Sequence, residues 1–408
     1  MRLSMSNSLN KNYLSHFVIV GGSILLLISF GIRHSSGLYL VPISNHLQSG
    51  REVFGFAVAI QFLLIGIGSP LFGAMSDKYG SGKASLSGVL LVLIGLFWMA
   101  NVNTSFDIIA SQAIFGLGAA GCGTAVVLGA VGKIVKEQNR TLSLGIVMAA
   151  GSLGQFILVP FAGFLIEVSG WSSSILYLTL IASIMIIFCY ALNFSGRSDA
   201  FKQDSDQTLK GALKEAFKSK SYNLLTIGFF VCGFHVAFVA THLPAYLADL
   251  SLPSWIGSWS LALIGLFNIF GTLIFARLGD RISKKNLLVV LYSLRSILFI
   301  IFIIVPKNEI TILIFAALLG VLWLATVPLT SGIISVVFGL KYMSMLYGFT
   351  FLSHQFGSFL GSWFGGRLYD IYGSYDLMWW LCVFLGFASA AMHMPIIEKA
   401  VPRLSYQS

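Results

Sequence analysis

Charge is what this sequence has least of. Only 10% of its 408 residues are Asp, Glu, Lys or Arg, and only 15 of those are acidic. Soluble domains carry nearer a quarter, so a water-facing exterior cannot be built from this mixture. Cysteine is equally scarce. Cys122, Cys189, Cys232 and Cys382 stand far apart, each inside an apolar run, so they make neither a metal motif nor a disulfide framework and read as packing residues. No Ala-x-Ala cleavage site follows the first apolar run, which therefore reads as a retained helix and not a signal peptide.

What is present is apolar: 57% of the chain. It falls into twelve runs of roughly twenty residues, the length that crosses a hydrocarbon core. Numbered 1 to 12 in chain order, these predicted spans cover about 17–43, 53–75, 84–101, 107–132, 141–167, 171–193, 222–248, 255–276, 286–305, 310–338, 342–368 and 374–396. The expected class is an all-α membrane protein of twelve transmembrane helices.

A net charge of +10 would suit a nucleic-acid partner, but its distribution does not. With the N-terminus in the cytoplasm, the inner segments hold 20 of the 25 basic residues and the outer side holds Arg51, Lys307 and Arg367. That asymmetry puts both termini in the cytoplasm and favours an even number of spans. The remaining two, Arg33 and Arg295, fall inside the membrane.

The stretch between Leu192 and Tyr222 is polar and Lys-rich, with an amphipathic tail from Leu209 to Phe217. It reads as a cytoplasmic linker (196–221) carrying a helix that lies on the membrane surface, between an N-terminal six-helix bundle (11–195) and a C-terminal one (222–400). The two halves match. Gly31, Arg33 and Pro42 recur 202 positions later as Gly233, His235 and Pro244. At an offset of 203, Asp77 pairs with Asp280, and Gly145, Gly154, Gly163, Leu165, Glu167 and Gly170 pair with Gly348, Gly357, Gly366, Leu368, Asp370 and Gly373. A nearly constant offset over spans 1, 2 and 5 indicates duplication and pseudo-symmetric halves.

Between spans 2 and 3 stands "FGAMSDKYGSGK", with Gly73, Asp77, Lys78, Gly80 and Lys83; its partner after span 8 is "ARLGDRISKKN", with Asp280 and Arg281. This resembles the signature loop of the major facilitator superfamily, G-x-x-x-D-[R/K]-x-G-x-[R/K]. The resemblance implies the major facilitator fold and a gating role for these residues, the aspartate meeting a helix N-terminus and basic groups. In the second copy Ala276 and Ser283 replace the two glycines. "RTLSLGIVMAAGSLGQFILVP" (Arg140–Pro160) is similar to the span 4–5 region of the monocarboxylate-transporter and oxalate–formate-antiporter branch, although the D-G-G-W-G-W opening of its animal members is absent.

None of the 15 acidic residues is predicted near the membrane midplane, so Arg33, roughly 24 Å along its helix from Phe17, has no carboxylate at its own depth. In the family that this chain resembles, helices 1, 4, 7 and 10 line a central cavity, with contributions from 2, 5, 8 and 11. Arg33, His235 and His354 would then surround one positively charged site, with Gln61, Trp323 and Gln355 as further substrate-contact candidates. A guanidinium presents two parallel donors matched to a carboxylate, and a histidine can add a donor or a proton. Each residue also has a plainer reading: Arg33 snorkelling or bonded to broken backbone near Gly37 and Pro42, the others as packing or interhelical bonds. Arg295 on span 9 reads as structural.

Two motifs mislead. Gly116-x-Gly118-x-x-Gly121 has dinucleotide-binding spacing but lies within a membrane helix, without the strand it needs, so it reads as a small-residue packing stripe. "YGSGKAS" has Asp77 where a P-loop needs its first glycine and Ala84 where it needs Ser or Thr, so no ATP site and no cofactor are expected. The expectation is a secondary transporter of a small organic anion, monocarboxylate-like, working by alternating access in a bacterial inner membrane, coupled to protons or to a counter-transported anion. The rivals are a carrier of neutral solutes such as sugars, a polytopic membrane enzyme and a sensor. The enzyme would need a nucleophile or a His/Asp arrangement near the interface, which the sequence lacks.

Overall fold

The computed structural model describes residues 2–135, 137–195, 208–339 and 342–402, and these are helices joined by short turns and loops, with no strand among them. Among the described residues ten stretches are long and apolar enough to cross a membrane. One of them, Leu142–Ser195, turns at Gly170 and so contains spans 5 and 6. Met343–Tyr372, a 30-residue helix rich in glycine and serine, brings the number to twelve.

Span 1 is Arg2–His34, continued by a 3-10 turn, Ser36–Tyr39, and a short helix, Leu40–His46. Spans 2 and 3 are Arg51–Tyr79 and Ser81–Met99. Span 4 is Ser105–Gly121 and Thr124–Ile134, broken at Cys122–Gly123. Spans 5 and 6 divide Glu137–Ser183 at Gly170, and span 6 continues as Met185–Ala191. A linker helix, Leu209–Lys218, then precedes span 7, Lys220–Asp249. Span 8 is Ser254–Gly279 and span 9 is Lys284–Ile304. Span 10 is Glu309–Val321 and Thr326–Phe338, span 11 is Met343–Tyr372, and span 12 is Asp376–His393. The amphipathic tail of the linker is helical as its pattern suggested; residues 196–207 of the linker lie outside the described residues.

The chain forms two compact units: Met1–Ser49 with Ile60–Ala200, and Gly50–Ala59 with Phe201–Ser408. The first nine residues of span 2 thus belong with the later part of the chain.

Repeated glycines do the same work in both units. In the first, Gly31 lies against the Gly154 carbonyl and Gly154 against the Leu27 backbone, so spans 1 and 5 meet main chain to main chain. In the second, Gly233 lies against the His354 carbonyl and Gly357 against the Phe230 backbone, which does the same for spans 7 and 11. A Cβ at any of the four would overlap backbone. Gly170 and Gly373, also repeat partners, both take positive φ (80° and 67°) at the turns after spans 5 and 11. The false dinucleotide motif is a packing stripe: Gly116 meets the Gln61 backbone, Gly118 meets Val92 and Gly88, and Gly121 meets Gly88.

The breaks are not repeated throughout. Spans 4 and 10 both break, at 122–123 and 322–325. Span 1 breaks after His34, but its partner, span 7, runs unbroken from Lys220 to Asp249 with Pro244 inside it.

Candidate functional site

In the first unit, Arg33 ends a helix. The break after His34 gives the guanidinium a helix C-terminus, where the macrodipole favours a cation. Ser35 closes the turn, its amide bonding to the Gly31 carbonyl at 3.2 Å and its hydroxyl donating to the Ile32 carbonyl at 2.7 Å. Arg33 lies 4.4 Å over the Phe30 ring and 3.4 Å from His34 Nε2. Its Nε has no partner, and no carboxylate among the described residues pairs with it. Ser29, four residues earlier, takes the Cys122 thiol of span 4 at 3.8 Å, and Phe30, three earlier, packs on Gly151 of span 5. Residues three and four apart share a helix face, so Arg33 is on the face turned to spans 4 and 5 and away from lipid. Gln61, on span 2, is fully buried, with neither amide atom hydrogen-bonded among the described residues.

The loop between spans 2 and 3 is tight. Gly80 takes φ 99°, a conformation that a side chain rarely adopts, which accounts for glycine there. Lys133, at the end of span 4, donates to Asp77 at 2.7 Å. Lys78, Tyr79 and Lys83 are exposed, and a Cβ on Gly73 would meet open space. The second copy turns differently. Ser283, in the place of Gly80, needs no positive φ and caps span 9, its hydroxyl accepting from the Asn286 amide. The Glu398 carboxylate then accepts from the Ser283 hydroxyl, at 2.7 Å, and from the Lys285 amide. Asp280 and Arg281 are exposed.

In the second unit the predicted residues divide. His235 is fully buried and donates from Nε2 to the Cys382 carbonyl of span 12 at 2.9 Å, its ring 5.1 Å from that of Phe299 on span 9. Gly233 faces span 11; two residues on, His235 is rotated by about 200° and faces the other way. His354 instead lies between Phe229 and Phe351, with Nδ1 donating to Gln355 Oε1 at 3.0 Å. The two histidines are therefore not brought together. Trp323 is buried at the break in span 10, and Arg295 fills that break, donating from one terminal nitrogen to the carbonyls of Leu322 and Trp323, the latter at 2.8 Å. Those carbonyls lie at the broken end of a helix, where no helical donor follows. The structural reading of Arg295 thus has a specific target. Cys232 stands 3.2 Å from Thr326 Oγ1 beside the same break.

A charged cluster that sequence reasoning missed surrounds the start of span 2, also within the second unit. Arg51 makes a two-pronged pair with Asp249 at 2.6 and 2.7 Å and covers the Tyr369 ring at 3.8 Å. Asp370 accepts from the Arg51 and Glu52 amides at 2.9 and 2.8 Å, which satisfies two of the free N–H groups of the helix start. Glu52 accepts from Arg367 at 2.9 Å and from the Trp363 indole at 3.0 Å. Arg51 also donates to the Tyr375 hydroxyl at 3.1 Å, that hydroxyl serves His242 Nδ1 at 3.1 Å, and His242 Nε2 donates to the Ser362 carbonyl at 2.7 Å. Burial pushes the Tyr375 phenol up from its ordinary range, so it stays a neutral relay. The sequence held one signal: Asp370 is the repeat partner of Glu167.

Twelve membrane-crossing helices in a duplicated arrangement, with a charged, turn-forming loop after the second, define a multi-pass integral membrane transporter. Residues 21–362 match the model of the Major Facilitator Superfamily, and the chain belongs to that family. It is 22% identical over 397 residues to the oxalate:formate antiporter of Oxalobacter formigenes, covering 95% of this chain and 93% of that protein. It is 21% identical over 388 residues to monocarboxylate transporter 11 of Mus musculus, covering 92% and 85%. Among solved structures, a D-xylose-proton symporter superposes with a TM-score of 0.71 at 14% identity, covering 95% of this chain and 99% of that one, a likeness of fold.

Proposed function

We propose that this transporter carries a small organic anion of the monocarboxylate kind by alternating access, with Arg33 as the group that binds the anionic end. The observation that carries this reading is Arg33 itself: an intramembrane guanidinium on a protein-facing helix surface, with no carboxylate partner among the described residues. An intramembrane ion is by default a candidate for the substrate path, and a guanidinium is shaped for a carboxylate. The names of the two relatives, oxalate:formate antiporter and monocarboxylate transporter, are those of carboxylate carriers and support the same class. In this reading Gln61, in the same unit as Arg33, supplies a further substrate contact, while His235 supports the fold, because its one donor is engaged by Cys382. Asp77 with Lys133, together with Gly73, Lys78, Gly80, Lys83, Asp280 and Arg281, gates the inner face. Both termini face the cytoplasm of a bacterial inner membrane, and coupling is to protons or to exchange of a second anion.

Uptake into proteoliposomes tests this across monocarboxylates, dicarboxylates, sugars and cations, with and without an imposed proton gradient or an internal anion. A carboxylate should accumulate, driven by one of those gradients. Uptake of a sugar with no carboxylate taken up would instead favour the neutral-solute carrier.

A further inference from the structure

The helix Leu209–Lys218 has two dissimilar sides, and among the described residues only one of them is packed against protein. Ala212 and Ala216 are buried. Phe217 meets the rings of Tyr222 on span 7 and Phe349 on span 11, both at 5.6 Å, and the Phe217 carbonyl accepts from Asn223 Nδ2 at 2.9 Å. Thr208 caps the start, accepting from the Gly211 amide at 3.1 Å. The helix is therefore fixed at the end of span 7, which begins at Lys220, immediately after the cap residue Ser219. That is the depth at which a membrane helix leaves the hydrocarbon.

Lys210, Lys214 and Lys218 are all exposed. Spaced four apart, they form one stripe along the helix. On a helical projection Phe217 falls between this stripe and the buried alanines. Phe217 is 49% exposed, and its neighbour Phe349 on the outside of span 11 is 40% exposed. Aromatic rings open to the acyl boundary and a row of ammonium groups beside them match the layering of a membrane surface, apolar below and phosphate above. Among the described side chains of this helix the one acid, Glu215, projects between the lysine stripe and the alanines on the flank opposite Phe217, so the flank that carries Phe217 holds no acid.

We propose that the linker helix is a docking surface for acidic phospholipid, with Lys210, Lys214 and Lys218 holding the phosphate diesters of the adjoining leaflet while Phe217 rests at the acyl boundary. The partner is fixed by charge complementarity and by depth: polybasic segments next to a membrane span are drawn to anionic headgroups. The proposal is independent of the identity of the transported solute.

Amide hydrogen exchange over 209–218 tests it, on the full chain in nanodiscs of phosphatidylcholine alone or with a minority of phosphatidylglycerol. Exchange should slow on the order of tenfold in the acidic discs and return toward the neutral-disc rate at high salt. The K210Q/K214Q/K218Q variant should lose the difference. Because the salt arm uses the wild-type chain, the test holds even where the variant folds poorly. Glycerol 3-phosphate added to neutral discs should change nothing, which separates a lipid surface from a soluble phosphate. Equal exchange in both discs, protection that survives high salt, or protection by glycerol 3-phosphate would overturn the proposal.

Discussion

Arg33 and Arg295 are the two cations that the sequence leaves inside the membrane, and each stands at a broken helix. Arg295 bridges the carbonyls of Leu322 and Trp323 at the break in span 10. Removing it strands buried acceptors, at a cost of about 1–3 kcal/mol. Arg295→Met should therefore lower the melting temperature of the detergent-solubilised protein and leave KM for the transported solute unchanged. A variant that melts like the wild type, or loses affinity alone, would contradict a structural role. Asp77 gives the opposite pattern. Its pair with Lys133 is exposed on the Asp77 side, so Asp77→Asn should change stability by less than about 1 kcal/mol and yet slow uptake, if the loop gates. The sequence revealed the depth of both arginines and the absence of nearby acids, because those depend only on counting along a helix. Broken backbone near Gly37 and Pro42 was one of its readings of Arg33, but it did not place the break directly after His34, where the helix C-terminus offsets part of the cost of Arg33. The equivalent region of span 7 runs straight through, with Pro244 inside it.

At the scale of whole helices, the repeat offset was visible in the sequence, but its reasons were not. Gly154 and Gly357 permit backbone contact with Leu27 and Phe230, Gly170 and Gly373 turn the chain, and Gly145 and Gly348 face open space. Pattern matching weights the three pairs alike; sterics do not. Gly154→Ala should cost about 1–3 kcal/mol through overlap with the Leu27 carbonyl, measured as thermal stability or folded yield. Gly145→Ala should be neutral or stabilise by up to about 1 kcal/mol, since helical glycine is costly where nothing needs it. A second helix-level feature is the cap that Asp370 provides for span 2 through two amide bonds. Asp370→Ala should cost about 0.5–2 kcal/mol, and Asp370→Asn, whose side-chain oxygen can still accept, should recover part of it. Long-range partners of this kind, 319 residues apart, leave no trace in local sequence pattern.

For the molecule as a whole, composition alone was enough to give twelve spans, and one loop motif identified the family, because both signals are local and repeated. The binding site was only partly legible. Repeat symmetry paired His235 with Arg33, but the Gly233 contact with span 11 turns His235 toward spans 9 and 12. The transport reading therefore rests on Arg33 more than on any ring of basic groups. The most direct measurement is kcat/KM for uptake of the best carboxylate in proteoliposomes by wild type, Arg33→Lys and Arg33→Gln. Loss of a charge-assisted pair should reduce kcat/KM about 10–100-fold in Arg33→Gln, with Arg33→Lys falling between it and wild type and all three folding alike. An Arg33→Gln protein that takes up the carboxylate at the wild-type rate would contradict an anion bound at this arginine.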